Sequence, residues 1–141
     1  MTASVLDSWA LIGWLQGEDP ARARVRELLE QASRGAAKVS ISLINVGEVF
    51  YLIAKRHGAA PAERFLADLA MMPIQALLPD RRLILSAARL KSRYPISYAD
   101  AFAVKTAREQ NAILVTGDPE LWQLSKREPI ELLWVGKRQA R

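Results

Sequence analysis

The stretch Ala112-Ile113-Leu114-Val115-Thr116-Gly117-Asp118-Pro119 runs from apolar residues almost directly into an acid. A short unbroken apolar run closed by Gly and Pro is the pattern of a strand buried on both faces. Ala112 to Val115 is the clearest such strand in the chain. Asp118 stands just beyond its carboxyl end, and Pro119 opens a short helix to about Ser125. Parallel sheets collect their ligands at the carboxyl ends of strands. Any other acid in the same position would share the surroundings of Asp118.

Outward from this strand, short apolar segments alternate with helical ones. Val5-Leu6 and their neighbours form a first strand ending at Asp7, with Ser8 placed to cap a helix from Trp9 to Gly17. Glu18-Asp19-Pro20 starts a second helix, with Val25, Leu28 and Leu29 inward and Gly35 at its end. Lys38 to Ile41 forms a strand. Ser42 then caps a helix to about Arg56, stopped by His57-Gly58. Pro61 opens a helix with Phe65, Leu66 and Leu69 inward, and Pro73 to Leu77 is a weaker strand pattern. Asp80 caps a helix carrying Leu83, Ile84, Ala87, Ala88 and Leu90, which Tyr94-Pro95 breaks. Ser97 to about Gln110 is a further helix, and Ile130 to Val135 a last strand. This alternation predicts an α/β domain of three layers, with a central parallel sheet of about five short strands between helices. The domain is expected over residues 1–136, followed by a basic, mobile tail at 137–141.

A chain of 141 residues, 50% hydrophobic and 25% charged, suits one domain with a real core. The absence of cysteine excludes disulfides, thiolate ligands and cysteine nucleophiles. No positively charged leader and no membrane-length apolar run is visible, so a cytoplasmic location is expected.

Four acids lie in apolar segments: Asp7, Glu48, Asp100 and Asp118. Carboxylates are rarely buried unless paired or metal-bound. Ala103, Val104 and Ala107 share the helical face of Asp100, while Ile44 and Leu52 flank Glu48 at four residues on either side. Both helical acids are therefore expected to point inward. Asn45 is placed to orient Glu48, and Ser8 and Thr116 offer hydroxyls beside Asp7 and Asp118. Four converging carboxylates would repel and raise one another's pKa. A hard divalent cation with oxygen ligands, Mg²⁺ or Mn²⁺, removes that conflict.

Singly, each acid has an ordinary reading. Asp7 and Asp118 could cap helices, Asp100 could sit in a first turn, and Glu48 could pair with Lys55 or Arg56. Jointly these leave two core-facing helical acids unexplained. The chain carries 20 Lys and Arg against 15 Asp and Glu; with the four acids set apart, 20 bases face 11 acids, a net +9. A basic body around a cation-neutralised pocket suits a polyanionic substrate.

The ordered set Val5-Leu6-Asp7-Ser8, Asn45-Val46-Gly47-Glu48, Tyr98-Ala99-Asp100-Ala101 and Leu114-Val115-Thr116-Gly117-Asp118-Pro119 resembles the PIN-domain nucleases. Within them it is similar to the VapC-type toxins of bacterial and archaeal toxin–antitoxin pairs. The likeness covers nearly the whole chain, with one departure: Trp9 stands where the family usually has a second small hydroxyl residue. The resemblance implies a PIN-like fold and a Mg²⁺- or Mn²⁺-dependent endoribonuclease. Asp7, Glu48, Asp100 and Asp118 would be its catalytic and metal-holding residues, directly or through water. It also implies an RNA substrate, often tRNA or rRNA, a small antitoxin partner and a homodimer.

Other readings of the acids remain open. A receiver or phosphatase-type domain also gathers acids around Mg²⁺, but needs a second acid close to Asp7, where the chain has Ser8-Trp9. A non-catalytic RNA-binding module of the same fold would not need a cluster that repels phosphate. His57 reads as a helix-end residue, Trp9 and Trp14 as packing aromatics, and Met71-Met72 as core filler or a contact surface. Lys55, Arg56, Arg89, Lys91 and Arg93 are available for phosphate contacts.

Overall fold

Five parallel strands form one sheet: β1 (Thr2–Leu6), β2 (Ala37–Ser42), β3 (Gln75–Leu77), β4 (Ile113–Thr116) and β5 (Leu132–Trp134), in the spatial order β3-β2-β1-β4-β5. The structure is a computed structural model and describes residues 1–137; the remainder of the predicted tail, 138–141, lies outside the described residues. The order explains the composition. β1 and β4 lie inside the sheet, and Val5, Leu6, Leu114 and Val115 are fully buried. Alternation along each strand sends neighbours to opposite faces. Leu6 and Val115 join one core with Val39 and Ile41, while Val5 and Leu114 join another.

Helices cover both faces. α1 (Ser8–Leu15), α2 (Ala21–Ser33), α3 (Leu43–His57) and α4 (Ala59–Ala70) enclose the first core, which contains Leu11, Val25, Val49 and Phe65. α5 (Arg81–Arg93), α6 (Tyr98–Glu109) and α7 (Pro119–Leu124) enclose the second, with Leu90, Phe102, Val104 and Leu121. The three-layer parallel architecture expected from the alternation is the one observed.

Local chemistry moves several boundaries. Asp7, not Ser8, caps α1, because its carboxylate accepts the Ala10 N–H; Ser8 becomes the first helical residue. Pro20 takes the cap position of α2, so that helix begins at Ala21. Gly58, at φ 101°, both ends α3 and precedes α4, which starts at Ala59 and places Pro61 in its first turn. Leu66, expected inward, is more than a third exposed at 37%. Ser42 and Asp80 cap α3 and α5 as expected, and Ser97, expected to begin α6, caps it.

The strand order positions the site. The chain moves from β1 outward to β2 and β3, then returns to the other side of β1 with β4. That reversal leaves a crevice at the carboxyl ends of β1 and β4. Leu6 pairs with Val115, and the Asp7 N–H donates to the Val115 carbonyl at 3.2 Å. Asp7 and Thr116 therefore meet at the top of the two strands.

Gly117 fits this junction because it lacks a side chain. A Cβ there would collide with the Trp9 indole, which lies across it. Gly117→Ala should destabilise the fold by about 1–3 kcal/mol, the usual cost of overpacking. Denaturant unfolding should show that loss, and combining it with Trp9→Ala should recover part of it. A neutral Gly117→Ala would mean that the indole moves aside freely.

Candidate metal centre

Asp7 is almost wholly enclosed at 1% exposure, with one oxygen accepting the Ala10 N–H at 2.8 Å and the other the Thr116 hydroxyl. The Thr116 oxygen in turn accepts the Asp118 N–H at 3.0 Å. A short chain of bonds thus joins the end of β1 to the turn after β4. Asp118 is half-buried and caps α7, accepting the Glu120 N–H at 2.9 Å. Asp100 lies in the first turn of α6 at 6% exposure, its N–H held by the Ser97 hydroxyl at 3.0 Å.

The structure draws three acids closest together. One carboxylate oxygen each from Asp100, Asp118 and Glu120 lies within 4.8 Å of the other two. Asp7 and Glu48 stand outside that inner group: Asp7 and Asp118 both act on Asp100, Asp118 acts on Asp7, and Glu48 acts on Asp7 alone. Glu48 is half-buried on α3 and forms no ion pair with Lys55 or Arg56. Its neighbour Ile44, expected to mark a core face, is 38% exposed, so this side of α3 borders solvent, and the Glu48 charge helps to raise the Asp7 carboxyl.

Sequence reading missed Glu120, which resembles an ordinary acid in a first helical turn. The available signal was its two-residue spacing from Asp118 across the α7 cap. Asn45 has a different part from the one expected. Its Nδ2 donates to Ser8 Oγ at 3.0 Å and to the Ala99 carbonyl at 3.3 Å, and Ser8 returns a bond to the Asn45 carbonyl at 3.4 Å. Asn45 and Ser8 tie the starts of α1, α3 and α6 together; they do not bond Glu48. Trp9 supplies an indole wall over Gly117 in place of a hydroxyl.

The electrostatics are costly for bare carboxylates. Burial, aided by Asp118 and Glu48, pushes the Asp7 carboxyl up to about 7 against the bonds from Thr116 and Ala10. Burial, then the charges of Asp118 and Asp7, pushes Asp100 up to about 8. The Oδ2 of Asp100 and the Oδ1 of Asn45 are buried and have no hydrogen-bond partner. Orphaned acceptors of this kind are uncommon and expensive. An all-oxygen donor set with a surplus of negative charge fits a hard divalent cation.

Residues 4–126 match the PIN domain family, and the chain belongs to that family. Solved structures agree on the fold. The VapBC2 complex of Rickettsia felis, bound to a DNA fragment from its promoter, has a chain that superposes at a TM-score of 0.72 with 15% identity, covering 95% of this chain and 99% of that one. Mycobacterium tuberculosis VapC20, described as a sarcin-ricin loop cleaving toxin, gives 0.68 at 15% identity over 86% and 94%. PAE2754 from Pyrobaculum aerophilum gives 0.64 at 19% identity over 93% and 89%. No curated protein matches the chain at a significant level.

Raised carboxyl pKa values have a definite consequence for stability. Asp7 and Asp100 move from 3.8 unfolded to about 7 and about 8 folded. The native state therefore holds more protons, and the stability this confers is full below pH 3.8 and lost as pH rises through the folded values. The melting temperature of the metal-free protein should fall across that window. Mn²⁺ at a hundredfold excess over its dissociation constant should restore about 2.7 kcal/mol. In chelator near pH 8, Asp100→Asn should melt above wild type. A wild type with no metal-dependent shift, together with a variant no more stable, would show that these acids do not form one cation site.

Proposed function

We propose that this chain is a divalent-cation-dependent endoribonuclease, the toxin of a toxin–antitoxin pair. The observation that carries the reading is the gathering of carboxylates around the buried Asp100 at the switch point of a PIN fold, none of them ion-paired among the described residues and Asp100 Oδ2 unpartnered. Asp7, Glu48, Asp100 and Asp118 would hold Mg²⁺ or Mn²⁺, directly or through water, with Glu120 on the exposed side. The bound cation would supply Lewis-acid activation of water and stabilise charge on a phosphodiester. The chain's own groups divide the remaining work. Thr116 and Ala10 fix the Asp7 carboxylate, and the Ser97 cap sets the first turn of α6, which carries Asp100. One acid accepts the proton of the attacking water. Ser8 and Asn45 keep the three helix starts in register.

RNA is the substrate class this reading assigns, supported by the net +9 outside the four acids. An antitoxin would cover an apolar groove of about 260 Å³ between α1, α3 and α4, lined by Ile12, Leu15, Leu52, Ile53 and Phe65. Leu15 and Met71 are exposed, at 41% and 87%. Several similar structures are themselves toxin–antitoxin complexes. Homodimerisation, a cytoplasmic location and a nuclease domain over 1–136 with a basic tail at 137–141 complete the proposal. Among the described residues no helix is long and apolar enough to cross a membrane.

Cleavage of mixed RNA should require Mg²⁺ or Mn²⁺ and stop in chelator. Asp7→Asn, Glu48→Gln and Asp100→Asn should each reduce the rate by more than about a hundredfold, beyond the loss from removing an outer partner. Asp118→Asn should be milder. Full activity in any two of the first three would sink the assignment.

Expression of the wild-type chain alone should arrest growth of a bacterial host. Asp100→Asn at the same soluble level should not. Normal growth with abundant soluble wild type would remove the toxin role while leaving the nuclease chemistry intact.

A further inference from the structure

The acid cluster opens sideways onto a second feature. Glu120, one of the three clustered acids, also lines a cavity of about 490 Å³. Arg93 and Tyr94, at the end of α5, form one wall; Gln123 and Arg127, from α7 and the turn after it, form another. This groove contains cations and an aromatic ring, the opposite character to the acidic centre it adjoins.

Its ring is held in place. The Tyr94 hydroxyl donates to Glu128 Oε2 at 3.1 Å, and the other Glu128 oxygen faces Arg108 at 3.4 Å and Arg93 at 3.7 Å. Burial opposes ionisation of Glu128, but the bonds from Tyr94 and Arg108 and the charges of Arg108 and Arg93 hold its carboxyl below the ordinary range. Glu128 is thus a charged post that fixes the phenol. The Arg93 guanidinium stands 6.0 Å from the Tyr94 ring centre. Burial and Glu128 raise the Tyr94 phenol, while Arg93 and Arg127 pull it the other way. Arg127 is exposed and makes no ion pair among the described residues.

A half-buried aromatic ring fixed by Glu128, with Arg93 beside it and Arg127 lining the same groove, next to a centre suited to phosphodiester chemistry, matches one unstacked nucleotide. We propose that the groove holds the nucleotide adjacent to the scissile phosphate, with its base on Tyr94 and its phosphate between Arg93 and Arg127. The inference rests on the nuclease reading and deepens it: the strand entering the site is single, because a base paired in a duplex cannot reach the ring.

The test measures affinity of the full chain for a short single-stranded oligoribonucleotide with Ca²⁺ in place of Mg²⁺, and cleavage of the same RNA with Mn²⁺. Tyr94→Ala should weaken binding about tenfold, the loss typical of a removed stacking platform. Tyr94→Phe keeps the ring and should lose far less. Arg127→Ala should weaken binding and flatten the slope of log affinity against log salt by about 0.7, one phosphate contact on a single strand. Lys38→Ala, which removes the same charge at the amino end of β2, should change neither. Wild-type cleavage with affinity unmoved by Tyr94→Ala and Arg127→Ala overturns the groove and leaves the nuclease reading standing. Failure of wild type both to bind and to cleave overturns both. Should Tyr94→Ala unfold, the exposed Arg127 decides the matter alone.

Discussion

Burying carboxylates without a base is the constraint on which this molecule turns. A lone ionised group in a low-dielectric interior is expensive, and proteins usually neutralise it or pair it. Here Asp7 and Asp100 are both buried, and the groups nearest to them include further acids. The raised pKa values express that conflict. A cation resolves it, which makes the site unstable when empty and useful when filled.

The fold is what makes the conflict unavoidable. Pairing β4 with β1 on the side away from β2 brings two strand ends together, and each strand end leads into a helix whose cap is an acid. Asp7 and Asp118 therefore do two jobs. They satisfy the first N–H groups of α1 and α7, and they face one crevice. The capping reading and the ligand reading, which compete in sequence, are compatible in space. Thr116 links the two acids through its single hydroxyl. Asn45 and Ser8 then lock the helices that carry Glu48 and Asp100 against the one that follows Asp7.

Much of this was legible because it depends on local patterns. Short apolar segments marked the strands, most clearly β4 with Gly117 and Pro119 beyond it, and Ser42, Asp80 and Ser97 marked helix starts by side chains that can reach a nearby N–H. What stayed hidden depends on tertiary placement. Periodicity could say which face of α3 carries Glu48, but not that this face borders a solvent-open crevice, with Ile44 exposed beside it. Glu120 is an unremarkable acid until α7 turns it toward Asp100 across the site. The link from Asn45 to Ala99 spans 54 residues, beyond any spacing argument. The place of Trp9 over Gly117 likewise depends on two segments meeting only in the folded chain.

The central claim is that acids from four separate segments serve one cation. Anomalous diffraction from crystals grown with Mn²⁺ tests it most directly. The account predicts a manganese peak bonded to Asp100 and Asp118 and reaching Asp7 and Glu48 directly or through ordered water. A saturated crystal with no peak in the crevice, or with manganese only on surface carboxylates, would contradict it.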